Sequence, residues 1–522
     1  MANGQKIGAI TSPMSEVESS VFRSKFKAAA VVLAVLSATT PLWAVGPASA
    51  RSAGPPCAGS TAPLSVEESR LSWVLPDDAD PTTPAPASFA QQMIEGGGLQ
   101  DYGPAFTQAL CRTPSLAAAT ALVKREGQDL WQAAVKRAQR RGQVTGDLPY
   151  SDDRPLYWTR LQSTATLRRW TPDFSLSDAQ RSTLITAFDR ASRGMSDIRF
   201  PSGKGVKRVI MSGFDPYTLD GGTTGSAAGT VGNNIRHGNP SGATALALDG
   251  TTYKTEDGQT AYIQAYTLPV NYTEFQAGYL EDTVGPLMRP GAQRVDASIT
   301  VSQAGDSVFD LEQWNGRYHG VSPGNDHSQP CPTVNGAPQL AVDNHGCDSA
   351  VVDRWGGPKE FSLTDPPQWT TTTLPIAQMI KANTGASIPR PPGDEWPDQS
   401  VAFGVVWHTN YTEFPDCSST QQVTRNNPPP TDYPPTTTPT PPDAGSCSYS
   451  GGGGNYLSNE SAYRNTLLRD RMGLKIPAGH IHTPDMQRFE RPFDVSDTTF
   501  DAWRLAIVAQ AGNLIHVVAD SS

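Results

Sequence analysis

From about residue 65 to 200, apolar positions recur at helical spacing. In "TPSLAAATALVKREGQDLWQAAVKRAQRRG" (113–142) they fall on one face, and the run ends in basic residues before Gly142, as a helix end prefers. "SLSDAQRSTLITAFDRASRGM" repeats the pattern, with Ser177 as N-cap and Gln180 at capping-box spacing. The tryptophans and leucines here read as core. Residues 65–204 are therefore expected to form a small helical domain. At Lys207 the period changes. "KRVIMSGF" is a short apolar run, and "AYIQAYTLPV" (261–270), "VDASITVSQAG" (295–305) and "VAFGVVWH" (401–408) are further strand candidates. Helical patterns separate them at about 273–288, 374–384, 459–474 and 498–512. Strands alternating with helices predict a three-layer α/β/α domain over 205–522 with a mostly parallel twisted sheet. In such sheets active groups come from loops at the carboxyl ends of strands.

Insertions interrupt this alternation at 218–238, 320–360 and 410–450. The last contains "NNPPPTDYPPTTTPTPPDAG", a polyproline-type stretch that cannot join a sheet and need not fold. The four glycines at 451–454 follow it, and the first two read as the end of this spacer. "NYTEF" occurs at 271 and again at 410, without a wider repeat.

Composition sharpens the picture. The chain has 522 residues, 37% of them hydrophobic, with 45 prolines and 47 glycines, which implies many loops. The 41 basic and 51 acidic residues give a net charge of −10. An acidic chain without a basic patch is a poor binder of nucleic acid. Arg23, Lys25 and Lys27 precede "AAAVVLAVLSA", and "ASA" (48–50) offers a cleavage site, so 1–50 reads as an export signal. Residues 51–64 are expected to be a disordered mature terminus. No later segment is expected to reach transmembrane length, so an exported protein without a membrane anchor is expected. Six cysteines fit that compartment. Of 15 connectivities, their order favours the local pairs Cys57–Cys111, Cys331–Cys347 and Cys417–Cys447. No cysteine or histidine cluster has zinc spacing, so neither a metal nor a cofactor is expected.

Candidate chemistry is sparse. In "AGHIHTPDM", His480 and His482 alternate along a strand end and share a face. Ser458 precedes a helix, where free N–H groups stabilise an oxyanion, although a plain N-cap serine reads the same way. Glu312 in "SVFDLEQWNG" follows the strand ending Gln303-Ala304-Gly305, and on local sequence alone it reads more readily as a surface carboxylate. Neither a GxSxG elbow around Ser458 nor a phosphate loop is present.

The order of short motifs adds more than any one of them. "VIMSGFDPY" (209–217), "NPSG" (239–242), "SQAG" (302–305), "TTTLPIAQMI" (371–380), "GGNYLSNESAY" (453–463) and "GHIHTP" (479–484) resemble, in sequence, the motifs of the pyroglutamyl peptidase I (pyrrolidone-carboxylate peptidase) family. These cysteine peptidases remove an N-terminal pyroglutamyl residue. The resemblance covers roughly 207–522. It implies His482 as general base, oriented by Glu312, which falls one residue short of the family's spacing. It also implies Phe214, Tyr217, Tyr456 and Gln303 around the pyrrolidone ring, with His480 outside the chemistry. Ser458 stands where the family has its nucleophilic cysteine. The implied activity is exported hydrolysis of a pyroglutamyl or similar amide on a peptide substrate by a Ser–His–Glu triad. The alternative is an inactive relative that binds blocked peptides.

Overall fold

The computed structural model describes residues 57–522 apart from 221–232, 339–365, 386–402, 487–494 and several shorter stretches, among them 304–307 and 329–332. The expected signal segment and the Cys331–Cys347 pair lie outside the described residues, as do large parts of the insertions at 218–238 and 320–360. Helices come first: α1 (Val66–Ser69), α2 (Phe89–Gly96), α3 (Tyr102–Cys111), α4 (Leu116–Ala138), α5 (Arg154–Arg169) and α6 (Asp178–Ala191). Ser177 caps α6 as its spacing predicts, accepting from Gln180 N while the Gln180 side chain returns to Ser177 N. Within the stretch expected to be disordered, residues 57–60 are tied down. Cys57 is bonded to Cys111, and Thr171 N and Ser60 N reach Cys57 O and Arg169 O.

The remainder builds a seven-stranded sheet in the order β10-β5-β14-β4-β1-β3-β2. Its members are β1 (Val206–Phe214), β2 (Thr251–Lys254), β3 (Thr260–Leu268), β4 (Ala297–Gln303), β5 (Val308–Glu312), β10 (Gly404–His408) and β14 (Ala478–Thr483). Four of its six pairings are parallel; β14 with β5 and β3 with β2 are antiparallel. This is the expected α/β architecture. Smaller strands lie beside it: β6 (Trp314–Gly316) with β9 (Trp369–Thr371), β7 (Thr333–Val334) with β8 (Ala337–Pro338), and β11 (Tyr411–Phe414) between β12 (Val423–Arg425) and β13 (Cys447–Ser450). Part of the 410–450 insertion thus folds as a three-stranded antiparallel sheet, and a Cys417–Cys447 disulfide, 5.1 Å between Cα atoms, closes it.

Helices cover both faces: α7 (Pro240–Leu248), α8 (Tyr272–Gln276), α9 (Tyr279–Met288), α10 (Ile376–Lys381), α11 (Leu457–Arg471) and α12 (Thr498–Ser521). The single helix expected at 273–288 is two, because Gly278 takes a left-handed φ of 81° between α8 and α9. On one face Val209, Met211, Ile299, Val301 and Ile481 pack with α12 residues such as Ile507 and Leu514, in a core shared with Leu130, Trp131 and Phe188 of α4 and α6. On the other face Ile210, Phe214 and Leu268 pack with Phe275, Leu280, Leu457 and Leu468. Phe500–Ser521 is long and apolar enough to cross a membrane, contrary to the expectation that nothing after the signal is. The helix expected to end at about 512 continues to Ser521, which gives it that length. Here most of it is buried inside the protein, so its apolar surface serves the core.

Candidate active site

Strand register decides what meets at the centre of the sheet. In parallel β10 and β5, His408 stands beside Glu312; in antiparallel β5 and β14, Glu312 stands beside His480 and Asp310 beside His482. On the other side of β14, Thr300 and Ser302 of β4 pair with His480 and His482. Alternation along each strand therefore puts His408, Glu312, His480, His482, Thr300 and Ser302 on one face. The intervening Leu311, Ile481 and Val301 enter the core behind the sheet. Helix α11 lies over the polar face, where Asn465 holds Ser298 of β4 through Ser298 Oγ–Oδ1 (2.6 Å) and Nδ2–Ser298 O (2.9 Å).

Glu312 is fully buried, and both its oxygens are used. Oε1 lies 2.6 Å from His482 Nδ1 and Oε2 2.8 Å from His408 Nδ1. Burial alone would raise its pKa, but the two imidazoles hold it well below the usual carboxylate range. An ionised carboxylate only accepts, so both Nδ1 atoms carry the hydrogen-bonding protons. In neutral His482 the basic lone pair then sits on Nε2. His480 is different. Its Nδ1 and Nε2 lie 2.7 Å from Thr300 Oγ1 and 2.8 Å from Ser302 Oγ, and complete burial pushes its pKa well down. It is a neutral prop whose ring meets His482 edge-on.

The glycine run is part of this site. A Cβ on Gly453 would lie 3.0 Å from Asn459 N and 3.3 Å from His482 Cε1, so Gly453 lies between the imidazole and the first turn of α11. A Cβ on Gly452 would overlap Glu312 Oε2, and one on Gly451 would overlap Asn459 Oδ1. Gly451 and Gly452, expected to finish a linker, are instead packed against Asn459 and Glu312. Asn459 fixes the helix start, accepting from Gly316 N (2.9 Å) and donating to Gly316 O (2.7 Å). Tyr456 is the N-cap residue of α11 and makes no side-chain cap. Among the described residues the N–H groups of Leu457, Ser458 and Asn459 have no hydrogen-bond acceptor.

The other sequence-derived residues fall around this centre. Ser458 is the second residue of α11 and half-buried; among the described residues no hydrogen bond joins its Oγ to His482. Phe214 ends β1 and stacks on Phe275 in the core. Gln303 ends β4, and its Nε2 donates to Tyr217 OH (2.9 Å) and Asp485 Oδ1 (2.7 Å). Its buried Oε1 has no partner among the described residues. Burial pushes Tyr217 to about 12 and Tyr456 higher still. Tyr456 OH donates to Pro323 O (2.9 Å), and its ring meets Tyr272 edge-on. The structure thus joins His482 to Glu312 and Gln303 to Tyr217, and among the described residues it bonds Ser458 to neither pair. Sequence reasoning missed His408 and Asp485: the first meets Glu312 through β10–β5 pairing and the second meets Gln303 from the loop after β14, and no local pattern records either contact. Asp310, Glu312 and His408 each offer a ligand atom within 4.8 Å of the others, the one described cluster that could hold a metal ion.

Fold and site together define an α/β protein with a buried imidazole–carboxylate pair near the N-terminus of a helix. The chain belongs to the PA0049 family: it matches the PA0049 C-terminal domain over residues 208–487 and the PA0049 N-terminal domain over 48–189. An uncharacterized Pseudomonas aeruginosa protein, PA0049, is 43% identical over 498 residues, covering 87% of this chain and 89% of its own. Among solved structures, a mutant pyrrolidone carboxyl peptidase of the hyperthermophile Pyrococcus furiosus is similar at a TM-score of 0.32 and 16% identity, over 60% of this chain and 99% of that one. Pyroglutamyl peptidase I of Bacillus amyloliquefaciens follows at 0.30 and 16%, over 59% and 97%.

Proposed function

We propose that the protein is an exported hydrolase that cleaves an N-terminal pyroglutamyl or similar amide through Ser458, His482 and Glu312. The observation that carries the reading is the 2.6 Å His482–Glu312 pair, which leaves Nε2 as the base beside the first turn of α11. The ordered motifs of the sequence, with Ser458 at a cysteine's place, supply the substrate class. Ser458 Oγ attacks the amide carbonyl while His482 Nε2 takes its proton, and Glu312 stabilises the resulting imidazolium. The oxyanion is met by the unpaired N–H groups that open α11. His482 then protonates the leaving amine, and a water activated by the same nitrogen releases the acyl group. Ser458 must turn toward Nε2 for this, a side-chain rotation that substrate binding has to bring about. The two disulfides suit the exported location that the N-terminal segment implies.

Turnover of a chromogenic pyroglutamyl amide by the oxidised protein tests this. Wild type is expected to exceed Ser458→Ala, and His482→Ala to lose about 10³-fold or more in kcat. No turnover above the Ser458→Ala control would sink the hydrolase reading. One observation favours a second reading: Ser458 Oγ makes no hydrogen bond to His482 among the described residues. On that reading the site binds blocked peptides without cleaving them. Calorimetric titration with a pyroglutamyl peptide then shows binding without turnover, and Ser458→Cys gains activity that the natural protein lacks.

A further inference from the structure

We propose that His408 is a positioning residue of this site, acting through Glu312: its Nδ1–H fixes the second carboxylate oxygen while the first orients His482. The inference rests on the hydrolase reading for its kinetic consequence and on geometry for its structural one. A carboxylate that orients an imidazole is useful only if it cannot rotate. Glu312 Oε1 alone, at 2.6 Å from His482, leaves the group free to swing about its terminal torsion. The 2.8 Å contact from His408 to Oε2 removes that freedom. Glu312 is 0% exposed, so solvent does not supply a substitute donor.

His408 is itself held. It closes β10, where the parallel register places it beside Glu312, and its carbonyl accepts from Gln313 N at 2.9 Å. The neighbouring Trp407 Nε1 donates to Gln313 Oε1 at 2.9 Å, and Thr372 N reaches Gln313 O at 3.1 Å. Gly452 borders the same oxygen from the other side and leaves it room. The His408 side chain is 19% exposed, so the series His482, Glu312, His408 ends at a partly open position. A strand at the edge of the sheet thereby contributes to a site built two strands away.

The experiment compares His408→Ala and His408→Asn in the full oxidised chain, since the asparagine amide keeps a donor near the Nδ1 position. Two readouts are taken: steady-state turnover of the pyroglutamyl amide, and the downfield imidazole N–H proton resonances. His408→Ala is expected to lower kcat by about 10–100-fold with KM within twofold, a loss typical of removing a partner that orients a functional ligand. It should also broaden or shift the His482 Nδ1–H resonance, while His408→Asn keeps both near wild type. Unchanged kcat and an unchanged resonance in a folded His408→Ala protein would overturn the proposal. So would a His408→Asn protein that melts like wild type yet is as impaired as the alanine variant. Loss of wild-type turnover on chelation, restored by a divalent ion, would reassign His408 to a metal with Asp310 and Glu312. If wild type itself turns nothing over, the hydrolase reading fails, and the His482 resonance alone still decides whether His408 positions the pair.

Discussion

The contacts of single residues explain why the glycine run cannot carry side chains. Gly452 approaches the buried Glu312 carboxylate so closely that a methyl group must push it aside. Gly452→Ala is therefore expected to displace Glu312 from His482 and lower kcat by about 10²-fold, the cost of misplacing a group by an ångström. Melting of the same variant should show a modest loss, about 1–3 kcal/mol, so that kinetics and stability separate the local from the global effect. A second residue reports through pH. Asp153 is buried, with one oxygen accepting from Asn239 N (2.9 Å) and the other without a partner among the described residues. Burial, and then the neighbouring Asp152, push its pKa up to about 7, against the pull of Arg504 and Arg154. The folded state thus holds a proton that the unfolded chain releases near 4. Stability from this group is complete below that value and is lost as pH rises through 7. Thermal melts from pH 4 to 8 should show Asp153→Asn gaining on wild type as pH rises; parallel curves would contradict the protonated assignment. His482 and Glu312 were legible as a candidate pair because the resemblance supplied roles for them. His408 was legible only as the end of a strand, because its partner is fixed by β10–β5 pairing.

At the scale of elements, register does what spacing does within a strand. Alternation along β14 already put both histidines on one face, but their different fates come from β4 and β5. Thr300 and Ser302 occupy both ring nitrogens of His480, whereas Glu312 takes only Nδ1 of His482. The strands at 207–214, 261–270 and 295–305 and the helix behind Ser458 could be read from apolar runs to within a few residues. Strand β5 could not, since "VFDLE" carries two acids in five residues that only a buried polar row explains. The repeated "NYTEF" makes the same point. Its first copy forms helix α8 and its second strand β11, so tertiary surroundings decide between them. Asn459 joins two elements by completing the backbone of Gly316 as a neighbouring strand would. Asn459→Ala should leave those groups unmatched and destabilise the protein by about 1–3 kcal/mol in a denaturant titration. Turnover should fall with it, because the start of α11 loses its anchor. A variant as stable as wild type would refute the clamp.

At the scale of the molecule, the helical region and the sheet are not separable. Arg160 of α5 lies 2.8 Å from Asp215 Oδ1 and Arg193 2.6 Å from Asp215 Oδ2. Burial would raise this carboxyl, but the two guanidiniums keep it low. Asp215 stands in the turn after β1, whose carbonyl groups are held by Asn239 (2.9 Å, Asp215 O) and Asn325 (2.7 Å, Pro216 O). The N-terminal helices thereby shape the turn between Phe214 and Tyr217. Arg160→Ala should cost about 1.5–3 kcal/mol, the loss of a charged hydrogen bond with Arg193 still pairing the carboxylate, and residues 205–522 expressed alone should be insoluble or lack a cooperative melt. A soluble, cooperatively folding fragment would refute this dependence. The sequence marked the two regions by their change of period; it could not show that they share a core.

The Cys417–Cys447 bond lies only four residues ahead of Gly451. Closing that loop removes roughly 3–4 kcal/mol of chain freedom from the unfolded state. It also tethers the strand that delivers the glycines to Glu312. Opening the bond is therefore expected to loosen the seating of Gly451 against Asn459 and of Gly452 against Glu312.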